Sequence, residues 1–477
     1  MTKKYHINDE FEIKGHWSLP DTNKRISGIL KYNTEGIVLE LFGAFDRTES
    51  FDLDKKGYGF VHGICEKNLL VTLYDGFEIS YSMGVIVTSK LIFNKIFMGA
   101  HFSSEDELKF HSLSVKYTYL EKWFDDRVFS HEYQLGAGGR GVKEINLSYV
   151  PPNNLFKVEI DSANAVIEGS YILDTNIDSA TGKLSHENLI NYVHSTEEFK
   201  EVEWFEALMF KMNNFLSFMM NRKINERQII AKGKLDDKKQ VRERIYIFPS
   251  KAFSEIEKKI HPSELFVSLP DVSNIISEVI NNWFNNSIEP SIQNYMRSMY
   301  YGGSDTVINF LNYTKALESY HRNSEGGQYL TDRQFSEIRS KMFEAINDLT
   351  SEEIKAKLRG ALAYAHHYEF EKRIVQCLSN IETKTRDLII DENKIEYFST
   401  RIKKTRNYHT HYGKKQNGVI EEGFDLYFTN QILKTVLFYW IARTINIPEE
   451  LLLTKIDEDY NLKRRLDNAS YLYVEEE

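Results

Sequence analysis

Arg406, Asn407 and His411 stand within one six-residue run, Arg-Asn-Tyr-His-Thr-His, and together they suit one kind of chemistry. An imidazole moves protons near neutral pH. A guanidinium grips a phosphate through paired hydrogen bonds and counters charge that builds up during reaction. Asn407 and His411 are four apart and share a face if the run is helical. Arg406 lies around the cylinder but is long enough to reach back. The set suits phosphodiester cleavage and calls for no metal.

The stretch from Arg401 to Lys415 contains no Asp or Glu. Arg401, Lys403, Lys404, Lys414 and Lys415 are therefore the candidate RNA contacts. The competing reading is a solvated basic helix end near Gly413, where the helix dipole favours cations. His409 is a second nearby imidazole, and its simpler reading is a surface residue without a role. Arg359 and His366 form another Arg–His pair, but inside an apolar helical run. A packed, partnered histidine is the simpler reading there.

Other chemistry is sparse. Cys65 and Cys377 lie far apart, with no zinc spacing and no disulfide framework, which fits a reducing cytoplasm. Gly136–Gly141 lacks a following Gly-Lys-Ser/Thr and the dinucleotide spacing, so it reads as a loop. His16-Trp17 and Trp123-Phe124 read as core aromatics before they read as a stacking platform. No cofactor and no metal are expected. A net charge of -10 excludes a general nucleic-acid coat, so any RNA contact must be local. The first ten residues have no apolar segment, and the run Ile432–Ile447 is broken by Lys434 and Arg443. The expectation is a soluble, cytoplasmic protein without a membrane span.

The elements that must position the run follow from periodicity. Residues 1–200 carry short β-branched stretches, with a hairpin signal at Asn33–Gly36. They suggest a sandwich or open barrel. Residues 201–304 read as a mixed, mainly helical connecting region packed on the N-terminal domain. It holds a helix from Val202, strands at Arg227 and Arg242 around a charged turn at Lys234–Lys239, a loop punctuated by Pro262 and Pro270, a helix after an Asp271 cap, and another behind Pro290. Residues 305–460 read as helices only: Asp305–Arg322 (capped by Ser304 or Asp305), Asp332–Leu349, Ser351–Ile381, Asp391–His411 and Glu422–Ile445. A loop is expected at Asn380–Asp391, and an acidic tail at 461–477. The class is α+β, a β-rich region followed by a helical bundle. The last two long helices form an antiparallel hairpin with the 406–411 run near its tip. Leu426, Ile432, Leu433, Val436, Leu437 and Trp440 make an apolar face that is a candidate dimer seam.

R-N-x-x-x-H on a C-terminal helical hairpin resembles the HEPN ribonucleases. The upstream helix Phe310–Arg322 is similar to the first helix of the ApeA-like HEPN branch, and the β-rich region ahead of it resembles the ApeA architecture. The resemblance implies a metal-independent endoribonuclease in which the ribose 2′-OH attacks phosphorus and leaves a 2′,3′-cyclic phosphate. It implies that His411 is acid or base, that Arg406 holds the phosphate, and that Asn407 orients it or caps backbone. Glu318 aligns with an acidic residue of the first HEPN helix; it would pair Arg406, tune His411, or serve as a structural salt bridge. A homodimer or higher oligomer would bring two imidazoles together. The implied biology is a toxic effector of anti-phage abortive infection, with tRNA as one candidate substrate and a phage-derived trigger sensed by the N-terminal region. The alternative is an inactive HEPN binding or dimerisation scaffold with recognition in the β-rich region, against which the intact triad argues. A carbohydrate-binding sandwich on a helical dimeriser rests on aromatics alone.

Overall fold

Phe11, Ile13 and Trp17 are buried along β1 (Phe11–Ser18) while Glu12, Lys14 and His16 stay exposed, the two-residue period of a half-buried strand. The same alternation runs through β2 (Ile26–Asn33). Four further strands, β3 (Gly36–Leu41), β4 (Gly57–Cys65), β5 (Leu69–Met83) and β6 (Val87–Met98), join them in the order β6-β3-β2-β1-β4-β5. β5 pairs back onto β6, so the six strands close into a barrel. Trp17 is fully buried and lies opposite Gly63. A Cβ at Gly63 would come within 2.4 Å of the Trp17 ring, so only glycine fits there.

The structure is a computed structural model that describes residues 5–45, 57–135, 141–152, 155–177, 181–236, 241–250, 267–303, 305–346 and 351–473. The expected loop at 136–140, the centre of the charged turn at 237–239, Pro262 and the Ser304 cap lie outside the described residues. The chain divides after Phe284, rather than near 304, into two compact units.

Within the first unit the remaining strands are β7 (Lys109–Phe110), β8 (Ser112–Tyr117), β9 (Phe129–Leu135), β10 (Val142–Tyr149), β11 (Lys157–Ile160), β12 (Ala165–Ile177), β13 (Gly182–His194), β14 (Lys200–Glu201), β15 (Glu226–Asp236) and β16 (Val241–Pro249). The end of β6, at Lys95–Met98, runs past β3 and pairs with β16. The sheet then continues through β15, β8, β13, β12 and β11. The short helix α1 (Leu120–Phe124) carries Trp123, and α2 (Val202–Met219) buries Phe205, Leu208, Met212, Phe215 and Met219 at helical spacing. The Trp123 ring meets that of Phe215 edge-on at 6.2 Å. Both aromatic pairs from the sequence thus place their tryptophans in the core. After α3 (Leu269–Val272) comes α4 (Ile276–Asn285). Asp271 is not the N-cap: Ser268 is, and its backbone N–H and hydroxyl both donate to the Asp271 carboxylate at 2.8 Å.

The second unit is helical: α5 (Glu289–Tyr301), α6 (Thr306–Ser324), α7 (Asp332–Ile346), α8 (Glu352–Leu362), α9 (Phe370–Ser379), α10 (Thr383–Ile389), α11 (Ile395–His411), α12 (Phe424–Thr444), α13 (Glu449–Glu458) and α14 (Tyr460–Ser470). Asp305 caps α6 by accepting from the Ile308 N–H at 2.9 Å. The expected single helix Ser351–Ile381 is two. Between α8 and α9 the chain is held against another segment by Tyr329 N–H to His366 O at 2.7 Å and Tyr368 N–H to Gly327 O at 3.0 Å, and bonds of that kind break a helical ladder. The expected loop at Asn380–Asp391 contains α10, capped by the Glu382 carboxylate, with Thr385 and Ile389 buried. The stretch from 461, expected as an acidic tail, forms most of α14, whose Leu462, Leu466 and Ala469 are buried. α12 is buried nearly all round, and Leu426, Ile432, Leu433, Val436 and Leu437 are at most 1% exposed. Trp440 donates its Nε1–H to Cys377 O at 2.8 Å. The face expected as a dimer seam is therefore the core of this unit.

Candidate active site

Ile395, Phe398, Ser399, Ile402, Thr405 and His409 form the buried stripe of α11. The helix stops where Tyr412 turns left-handed, at φ 47°, and its N–H returns to Tyr408 O at 2.7 Å. The connection to α12 then runs back along α11 and is pinned to it. Arg401 donates to Gly418 O at 3.1 Å, Lys404 to Asn417 O at 3.2 Å, and Thr405 Oγ accepts from the Ile420 N–H at 3.1 Å. His409 Nε2 bonds Ile420 O at 3.0 Å. His409 is thus no surface residue; it is 5% exposed and serves the hairpin.

The motif runs from the edge of that stripe to the exposed face of α11. Arg406 is half-buried, Asn407 and His411 are exposed. Arg406 Nη2 donates to Glu318 Oε2 at 2.7 Å, and its guanidinium lies 4.3 Å from the centroid of the Phe370 ring. Glu318, from α6, also accepts from Arg322 at 2.8 Å. The Glu318–Arg406 pairing raised by the sequence is thus present. The remaining donors of Arg406 have no hydrogen-bonded acceptor among the described residues. His411 and Asn407 touch neither Arg406 nor Glu318 in a hydrogen bond among the described residues; they share only the helix with the arginine.

The basic stretch is largely spent inside the fold. Arg401 also donates to Leu472 O at 2.6 Å, Lys403 pairs with Glu369 at 3.0 Å and Glu371 at 2.9 Å, and Lys415 pairs with Glu421. Lys414 is exposed.

Behind Glu318 lies a network that sequence reasoning missed. Arg373, fully buried, donates to His321 Nδ1 at 2.9 Å, Gly326 O and Tyr368 O at 3.0 Å, and Gly327 O at 3.4 Å. His321 Nδ1 is thus an acceptor, so Nε2 carries the proton and donates to Gln376 Oε1 at 2.7 Å. Gly327 has φ 73°, and a Cβ there would meet the His321 ring at 2.7 Å. In sequence Arg373 looks like one more surface cation in Glu-Lys-Arg; only the loop carbonyls it gathers reveal it.

Burial, and then the Arg373 charge, hold the His321 pKa below its ordinary 6.5. The unfolded chain therefore takes up this proton first as pH falls. Above about pH 6.5 the ring is neutral in both states and the full stability is present; below that it is progressively lost. Chemical denaturation between pH 7 and pH 5 should show falling stability, and His321→Gln should flatten that slope. Other depressed histidines, His101 and His186 among them, share it, so the difference between the two proteins is the readout. Identical slopes would show that His321 does not carry a depressed pKa.

Residues 12–283 match the family model of the ApeA N-terminal domain 1, and residues 311–451 that of the Apea-like HEPN. No curated protein and no solved structure matches the chain. No helix among the described residues is long and apolar enough to cross a membrane. HEPN domains are generally nucleases. With the first match spanning nearly all of its barrel-containing β unit and the second containing the Arg406–His411 helix, the chain belongs to the ApeA-like HEPN proteins.

Proposed function

We propose that the chain is a metal-independent endoribonuclease that cleaves RNA to 2′,3′-cyclic phosphate and 5′-OH ends. The observation that carries this reading is Arg406, fixed at one edge by Glu318 and on one face by Phe370, with no other hydrogen-bonded acceptor among the described residues, on the same helix as exposed Asn407 and His411. A guanidinium held this way is preorganised to take two phosphate oxygens without reorganising during the reaction. His411 transfers a proton to or from the reacting oxygens, and Asn407 orients the phosphate. One copy supplies one such imidazole, and a homodimer supplies the second. Because the apolar face of α12 is core, the dimer forms through other surface. Among the described residues most of the basic stretch is paired within the fold and Lys414 is exposed, so RNA binding is local and weakly basic. In the cell the nuclease acts as a toxic effector in anti-phage defence, and the barrel-containing unit senses the infection cue.

The test is cleavage of a 5′-labelled RNA by the full chain, with end-group analysis. The expected fragments resist 3′-end ligation until the cyclic phosphate is opened and removed. Fragments with free 3′-OH ends would require water or metal hydroxide as the nucleophile and overturn the reading.

A further inference from the structure

We propose that Asp332, His366 and His367 form a binding site for a divalent transition-metal ion of the zinc class, which ties the first residue of α7 to the chain after α8. This inference stands apart from the ribonuclease reading. The ligand atoms offered by the three residues all lie within 4.8 Å of one another. Two imidazoles and one carboxylate are a three-ligand set that zinc accepts with a water or a fourth group completing the tetrahedron. The nitrogen donors turn the site away from calcium and magnesium, which take oxygen. Bonds of about 2.0–2.1 Å in a tetrahedron put ligand atoms about 3.3 Å apart. Asp332 Oδ1 and His366 Nε2 are already 2.7 Å apart, hydrogen-bonded across the position an ion would take. The Asp332 side chain is 82% exposed and free to open by the remaining few tenths of an ångström.

The surroundings are built rather than loose. His366 is 6% exposed and its ring stacks on Phe335 at 4.4 Å. Its backbone is pinned by the Tyr329 N–H, and His367 bridges to Gln328. Gln328 Nε2 donates to Asp332 Oδ1 at 3.2 Å. One observation is not explained by a simple His366–Asp332 hydrogen bond. The His367 ring, half-buried, makes ring contacts to Tyr364 and His366 but no hydrogen bond among the described residues. Metal ligation would give the His367 ring a polar partner beside His366 and Asp332.

The site also has a structural task. Among the described residues of α7 only Phe335 is buried, and of α8 only Lys355. This pair of helices has almost no core, and the three ligands sit at its base, so an ion there would fix the pair where packing does not.

The test uses the purified full chain, stripped with chelator and titrated with Co²⁺. The expected result is visible absorption that saturates at one equivalent and is displaced by Zn²⁺. Asp332→Ala and His367→Ala, at residues outside the core, should each weaken Co²⁺ binding at least about tenfold with unchanged circular dichroism. Zn²⁺ should raise the melting temperature of the unaltered protein and not that of the double variant. Absence of the spectrum, or equal affinity in the double variant, would overturn the proposal.

Discussion

Replacing His411 by Gln should lower RNA cleavage by about 10²- to 10⁴-fold, the usual cost of losing a general acid or base. Glutamine keeps a hydrogen bond but cannot relay a proton. His411 is exposed at the last turn of α11 and makes no hydrogen bond among the described residues that the fold would miss. The stability change should therefore stay within about 0.5 kcal/mol, as at ordinary surface positions. His409→Gln should behave differently. It acts on the hairpin through Ile420 O and should lower stability before it lowers the chemical step. The same assay in chelator should leave cleavage by the unaltered protein intact, since imidazole and guanidinium supply the proton transfer and the charge. Running it also on the Asp332→Ala/His367→Ala variant separates a structural ion from a catalytic one. Full activity of His411→Gln would remove the nuclease assignment and leave the scaffold reading.

How far the sequence carries can be judged element by element. The end of α11 at His411 is a local signal, because periodicity, the glycines and the absence of acids between 401 and 415 all lie within a short window, whereas the packing of α11 mainly on α9 and α6 is not. Barrel closure is not local: β5 and β6 are neighbours in sequence, yet the circle closes only because β4 pairs with both β1 and β5. Short-range patterning cannot distinguish that from an open sheet. The break before α9 depends on carbonyls and amides from 327–329, some forty residues upstream, which no window sees. α12 was legible as apolar, but an apolar face looks the same whether its partner is another copy or α6 and α14 of the same chain. His409 and Arg401 illustrate the converse. Their charge or basicity suggested solvent, while the returning 417–420 segment and the 472 carbonyl claim them. The metal-ligand cluster is hidden for the same reason, because 34 residues separate Asp332 from His366.

Arg406→Ala should abolish cleavage almost as completely as the loss of His411, by about 10²- to 10³-fold, the size expected for removing one preorganised charge stabiliser. The fold should tolerate it. Glu318 would keep its second partner, Arg322, at 2.8 Å, so no carboxylate is left alone, and the lost ion pair is a partly exposed one. A destabilisation of more than about 1 kcal/mol is not expected. Arg406→Lys is the sharper variant. A lysine ammonium restores the charge but neither the two-oxygen fork nor the flat face that lies on Phe370, so activity should remain at least about tenfold below that of the unaltered protein. Glu318→Gln tests the support rather than the clamp. It keeps the shape, removes the charge that fixes Nη2, and should cost less than Arg406→Ala while raising the KM for RNA, because a freer guanidinium binds the phosphate less well. If Arg406→Ala cleaves RNA normally while His411→Gln does not, the arginine is a structural partner of Glu318 and the phosphate is held by another group, for which exposed Lys414 is the first candidate.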